Sequence, residues 1–155
     1  MGKLVLECEG RKPQLKKLLN AAYSVLKQKE NLKAELVFMS AQEMRELNAR
    51  TRQKDTTTDV LSYPSLDGIR GKILTKKACK GQIENGYIFI GSIVLCEDKI
   101  KEQAKELGHS LTKERNYLII HGIMHLMGYD HMTEEDKKLM RKKEKATLSL
   151  LEKMQ

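Results

Sequence analysis

Three of the chain's four histidines fall in one short run, His121-Gly-Ile-Met-His125-Leu-Met-Gly128-Tyr-Asp-His131. On a helix, residues four apart lie on one face a turn from each other, so the imidazoles of His121 and His125 can share an ion. Gly128 can take the left-handed conformation that closes a helix, letting the chain reverse and bring His131 back to the same point. Three converging neutral imidazoles form a zinc ligand set, one Zn2+ per chain, and leave the fourth tetrahedral position to water. The pattern therefore reads as a catalytic site and not a closed structural one. The fourth histidine, His109, follows Gly108 and is read as a loop residue without a role, because a lone histidine is more often accommodated by the fold than bound to a metal.

The spacing H-x-x-x-H-x-x-G-x-x-H is that of the metzincin peptidases, in which a glutamate after the first histidine serves as general base. Gly122 stands there instead. The ion and its water are retained without the carboxylate that peptide hydrolysis needs, which points to metal-assisted hydrolysis of another substrate. Asp130, the nearest acid, is expected to orient a ligand imidazole from outside the ligand set. Charge suggests the substrate: 29 Lys+Arg against 21 Asp+Glu give +8 and an isoelectric point near 9.3, an excess that favours polyanions and above all nucleic acid. Lys137-Lys138 and Arg141-Lys142-Lys143 read as a solvated helix face. Arg70, Lys72, Lys76, Lys77 and Lys80 lie in Gly-punctuated sequence between two strand-like segments and read as a mobile basic loop able to touch phosphates. With five Tyr, two Phe and no Trp, extensive base stacking is not indicated, so sequence preference should be weak.

Other features bound the setting. Cys8, Cys79 and Cys96 are odd in number, widely separated and free of a C-x-x-C pair, which suggests neither a disulfide framework nor a cysteine metal site and points to the reducing cytoplasm. The N-terminal run from Met1 to Arg11 carries charge too early for a signal peptide, and no apolar run reaches membrane-spanning length, so no membrane partner is expected.

The elements that must position the histidines follow from periodicity. Leu4 to Glu9 alternates as a strand, and a helix after Pro13 runs to about Gln28. Glu35 to Met39 is a second strand, and Ser40 with Glu43 forms a capping box opening a helix through about Asn48. Asp59 to Tyr63, closed by Pro64, is a third strand, and Tyr87 to Leu95 a fourth, with Gly91 marking a bulge. Three helices follow: Glu97 to about Leu107, Thr112 through Met127, and one starting at Thr133, with Asp136 as its capping partner. The middle one carries the histidine pair and is apolar nearly all round, as a buried central helix must be. Leu148, Leu150, Leu151 and Met154 are expected only to pack.

A second constellation precedes the third strand. Leu47-Asn-Ala-Arg-Thr-Arg52-Gln-Lys54-Asp-Thr-Thr-Thr58-Asp59-Val-Leu-Ser62-Tyr-Pro64 is dense in hydrogen-bonding groups, and a loop at this place presents side chains from a rigid sheet. Together with the histidine motif it resembles the YbeY family of zinc-dependent endoribonucleases, or rRNA maturation factors, over about Asn48 to Glu144. The resemblance implies a single α+β domain, 1–155, with a small mixed four-stranded sheet and several helices. It also implies zinc on His121, His125 and His131, and an essential arginine that falls on Arg52. The activity it implies is cleavage of single-stranded RNA in ribosomal RNA maturation, especially at the small-subunit 3′ end, and in ribosome quality control. Ribosomal RNA and the small subunit or its proteins would be the partners. One departure stands out: Ser92 follows Gly91 where the family usually has Asp.

The chemistry fits the residues. Zinc activates water near neutral pH, which answers the missing glutamate. A guanidinium meets two phosphoryl oxygens at once, the role given to Arg52 as catalytic and substrate-binding residue, with Lys54 as a further phosphate contact. Two other classes are set against this. A metallopeptidase or amidase explains the metal but neither Gly122 nor the charge, and a non-catalytic zinc-stabilised ribosome-assembly module explains everything except the open coordination position.

Overall fold

The computed structural model describes residues 2–9 and 15–154; Pro13 and the Gly10-Arg11 end of the N-terminal run lie outside them. In chain order the elements are β1 (Leu4–Cys8), α1 (Lys16–Val25), β2 (Leu32–Met39), α2 (Ala41–Arg52), β3 (Val60–Pro64), a 3-10 turn at Lys80–Gln82, β4 (Ile83–Glu84), β5 (Tyr87–Cys96), α3 (Glu97–Leu107), α4 (Leu111–Leu126) and α5 (Glu134–Met154). All four expected strands are present in one mixed sheet of order β1-β2-β5-β3. β1, β2 and β5 run parallel, while β3 is antiparallel to β5.

A fifth, two-residue strand, β4, pairs antiparallel with the start of β5. Its turn is Asn85-Gly86, both with positive φ (49° and 84°). That is the type I′ hairpin signal, present in the sequence but unread there because the flanking strand is so short.

The two faces of the sheet are covered unequally. Ile93 and Leu95 of β5 point to the face packed by α1, α4 and α5, where the main core lies. Val94 and Cys96 point to the other, against Met44 of α2 and Leu61 of β3. Helix α4 is the central one: Ile119, Ile120, Ile123, Met124 and Leu126 are fully buried, each stabilising the fold by about 1.5–3 kcal/mol relative to exposure. Gly91 lies at a register shift, with Lys33 opposite Phe89 and Ala34 opposite Gly91. A Cβ there would meet the Tyr63 carbonyl oxygen at 2.3 Å, so the bulge glycine lets β3 approach.

Three expectations need correction. Helix α2 runs to Arg52 and not to Asn48. Asn48 is buried, and its Nδ2 donates to the Thr56 carbonyl at 3.0 Å, fastening the following loop, while the left-handed cap falls on Gln53. Strand β2 begins at Leu32, because Lys33, which breaks the apolar pattern, is paired there with Glu7 and Glu84 at 3.4 and 2.9 Å. Helix α1 stops at Val25, since Gln28 turns inward to bind the chain at Lys72 and Leu74. That last contact also changes the reading of the basic segment. Gln28 Nε2 donates to Lys72 O at 2.8 Å and its Oε1 accepts from Leu74 N at 2.9 Å, while Leu74 and Cys79 are buried. The segment is anchored through Gln28, Leu74 and Cys79, with its lysines outward.

Candidate metal centre and cleft

The histidine geometry begins with how α4 ends. Met127 caps the helix, Gly128 (φ 90°) donates to His125 O, and Tyr129 N donates to Met124 O, both at 3.0 Å. This pair of bonds is a Schellman closure, which reverses the chain. Gly128 is required twice over, because a Cβ there would also strike the Arg70 backbone nitrogen at 2.4 Å. The reversal returns His131 to the helix face, and one ligand atom each from His121, His125 and His131 lie within 4.8 Å of one another.

The donor set suits a metal ion. His121 Nδ1–H donates to Glu144 Oε2 of α5 at 2.5 Å, and His125 Nδ1–H to the Tyr129 carbonyl at 3.1 Å. Fixing the proton on Nδ1 leaves Nε2 of both rings as the lone-pair donor, the arrangement that ligand histidines use. Burial first, then the neighbouring His121 and His131, pushes the His125 imidazole down to about 4, so it is neutral at pH 7. The three residues can hold a metal ion through imidazole nitrogens, a donor set that fits zinc.

The supporting carboxylate is Glu144, which sequence reading missed. Glu144 side-chain exposure is 7 %, and the only signal was an acid on the inward row of α5. Asp130, expected in that role, instead accepts the Met132 backbone N–H at 2.8 Å, an Asx turn that shapes the approach to His131. Gly122 has a structural reason as well. A Cβ there would lie 3.0 Å from Ile93 of β5, so the position that bears the peptidase glutamate is pressed against the sheet.

A cleft of about 540 Å³ joins the two sequence constellations: His121, His125 and His131 line one side, Arg52, Asp59 and Ser62 the other. Arg52 therefore comes from a helix end and not from a loop. Its Nη2 donates to Ser62 O at 3.2 Å, and its guanidinium carbon lies 5.9 Å from the Tyr63 ring centroid. Thr51 and Tyr63 hydroxyls hydrogen-bond at 2.7 Å, tying the same helix end to β3. Lys54 is exposed beyond the cap and outside the lining of the cleft. Ser92, where an Asp is usual in the resembled pattern, donates to Glu35 Oε1 at 3.5 Å; Glu35 is its register partner on β2. His109 lies away from the cluster, with Nε2 2.9 Å from Glu114 Oε1.

A sequence model of a family described as Endoribonuclease YbeY matches residues 5–152. Proteins named Endoribonuclease YbeY are similar to it: one from Clostridium botulinum (strain 657) is 39% identical over 133 residues, 81% of this chain and 80% of the relative. One from Clostridium acetobutylicum is 41% identical over 119 residues, 74% and 72% of the two chains, and one from Clostridium perfringens 39% over 144, 88% and 86%. Among solved structures, the solution structure of TM1509 from Thermotoga maritima is similar with a TM-score of 0.58 and 28% identity, covering 97% of this chain and 89% of that one. Among the described residues, no helix is long and apolar enough to cross a membrane.

Proposed function

The chain belongs to the family of endoribonuclease YbeY, RNA-cleaving hydrolases, and from that premise we propose that it cleaves single-stranded RNA with one zinc ion on His121, His125 and His131. Its place is the cytoplasm, its role ribosomal RNA maturation, especially at the small-subunit 3′ end, and ribosome quality control, with the small subunit or its proteins as partners. The observation that carries the reading is the meeting, in one cleft, of three imidazole donors with a guanidinium held by β3.

When bound there, zinc supplies Lewis-acid chemistry: it activates water near neutral pH and withdraws charge from a phosphoryl oxygen. The chain's own groups do the rest. Arg52 uses one N–H on Ser62 O, and the remaining donors of its fork face the cleft, where two can meet the non-bridging oxygens as negative charge builds on phosphorus. Tyr63 and Ser62 hold that fork in place. Glu144 fixes the tautomer and ring angle of His121, as the Tyr129 carbonyl does for His125. Lys54 acts outside the cleft, as a contact to phosphates further along the strand.

Water is the nucleophile in this reading. Three histidines are ligands and the fourth is engaged by Glu114, so no imidazole pair remains to run acid–base chemistry through the substrate's 2′-hydroxyl. The test is a single-stranded ribosomal RNA fragment incubated with zinc-loaded protein. Cutting should persist when one 2′-deoxy sugar replaces the ribose at the mapped position, and the all-RNA parent should give no cyclic phosphate. Loss of cutting at that nucleotide alone, with a cyclic product from the parent, overturns the choice of nucleophile. Absence of any cutting overturns the activity.

A further inference from the structure

The histidine cluster opens on two sides. Apart from the Arg52 cleft, His121 and His131 form the inner end of a second groove of about 270 Å³ between α4 and α5, walled by Tyr117, Lys137, Arg141 and Glu144. We propose that this groove binds the RNA strand on the side of the scissile phosphate away from Arg52, with Tyr117 as the platform for one base and Arg141 as a phosphate contact. The inference rests on the endoribonuclease reading above.

Helical register supplies the first argument. Tyr117, His121 and His125 follow one another at four-residue spacing, so they form a single stripe along α4. The Tyr117 ring lies 6.0 Å from the His121 ring, centroid to centroid, at an interplanar angle of 31°. Tyr117 is 38% exposed, whereas Tyr129, the aromatic on the other side of the cluster, is 7% exposed and has no face to offer. An open aromatic ring next to a phosphate-processing centre is what a single-stranded base stacks on, irrespective of its identity.

Electrostatics supply the second. The groove's one acid, Glu144, is nearly buried and bonded to His121, and its charge is also felt at the Tyr117 hydroxyl. Among the described residues, Arg70 is paired with Asp136, Arg45 with Asp55 and Arg115 with Glu97. Arg141 makes no hydrogen bond or ion pair among the described residues, and it stands four residues after Lys137 on the same side of α5. Lys137 touches only the 83%-exposed Glu134, at 3.4 Å, an exposed pair that holds the lysine weakly. A guanidinium that pairs with no carboxylate among the described residues, on a concave wall beside the histidine cluster, is set up to take a phosphate bidentately. The Arg141-Lys142-Lys143 run is thus split: Arg141 faces a site and Lys142 faces solvent.

The experiment measures anisotropy of fluorescent single-stranded RNAs of increasing length on the zinc-loaded protein and on Tyr117→Ala, Tyr117→Phe and Arg141→Ala, with zinc content determined for each. Short RNAs that fill only the Arg52 cleft should bind all four alike. As the strand lengthens, wild type and Tyr117→Phe should gain affinity together, while Tyr117→Ala should forfeit about tenfold of that gain. Arg141→Ala should lower the slope of log K against log salt by about 0.7 on long RNA only. The proposal is overturned if the variants match wild type at every length, if they lose equally at every length, if Tyr117→Phe behaves as Ala, or if zinc content falls with the substitutions. Cleavage of the same RNAs separates the two readings. Length-dependent losses without any cleavage sink the nuclease and keep the groove; cleavage with no length-dependent loss does the reverse.

Discussion

The protein contains two histidine–glutamate pairs of nearly the same make. In one, His121 Nδ1 meets Glu144 at 2.5 Å; in the other, His109 Nε2 meets Glu114 at 2.9 Å. The carboxylates are similarly hidden, at 7% and 6% side-chain exposure, and the imidazoles similarly part-exposed, at 21% and 25%. What differs is the surroundings. Around His121 two further imidazoles gather within reach of one ion. Around Glu114, Gln103 Nε2 donates to the second carboxylate oxygen at 3.1 Å and to Asp59 at 2.9 Å, and Asp59 in turn accepts from Val60 N at 2.8 Å. That chain of bonds fastens the α3–α4 turn to the start of β3, the strand that carries Ser62 and Tyr63. A buried His–Glu pair is therefore not a site in itself. It becomes one where the remaining imidazole nitrogen faces other donors across open space, and it is structural where polar neighbours saturate it.

His125→Ala should reduce zinc from one per chain to far below that, whereas His109→Ala should retain it; elemental analysis of the two purified variants decides, and equal zinc in both would erase the distinction. Next in size is Arg52→Lys, which keeps charge but loses the fork. It should lower RNA cleavage by about 10²–10³-fold, the scale of removing a transition-state donor, with zinc content and melting temperature near wild type. Wild-type cleavage rates in this variant would remove Arg52 from the chemistry.

The two carboxylates provide the matched pair of tests. Glu144→Gln should weaken zinc binding by about 10–100-fold, as loss of a ligand's orienting partner does, measured by competition with a chelator. Glu114→Gln should leave zinc affinity unchanged and lower stability by about 1–3 kcal/mol in denaturant melts, because its new amide N–H is set against existing donors in a buried place. Exchanged outcomes would mean that the assignments are reversed. Smallest is the effect of His109→Ala on stability, about 1 kcal/mol for one hydrogen bond.

Much of this was legible in the sequence, for local reasons. The four main strands and five helices carry apolar periods long enough to name. The capping box at Ser40 and Glu43 forms both of its bonds, at 3.1 and 3.0 Å. The histidine triad could be read because its backbone path is set within eleven residues by a helix and one glycine. Where polar residues were used inward, the same reading failed. The pattern ends one helix at Asn48 and another at Gln28, but each side chain is buried to bind a remote backbone segment, something no local pattern carries.

The histidine turn and the element order thus came from sequence, since both depend on backbone preferences and on contacts three to four residues apart. Tertiary structure alone decided the rest: that Glu144, 23 residues on from His121, would orient its imidazole, that Arg52 would arrive on a helix end pinned to β3, and that Gly122 would be closed off by Ile93. These are meetings between elements, and they depend on how the helices lie over a twisted sheet, a matter of packing volume and of satisfying buried polar atoms that a one-dimensional pattern does not encode.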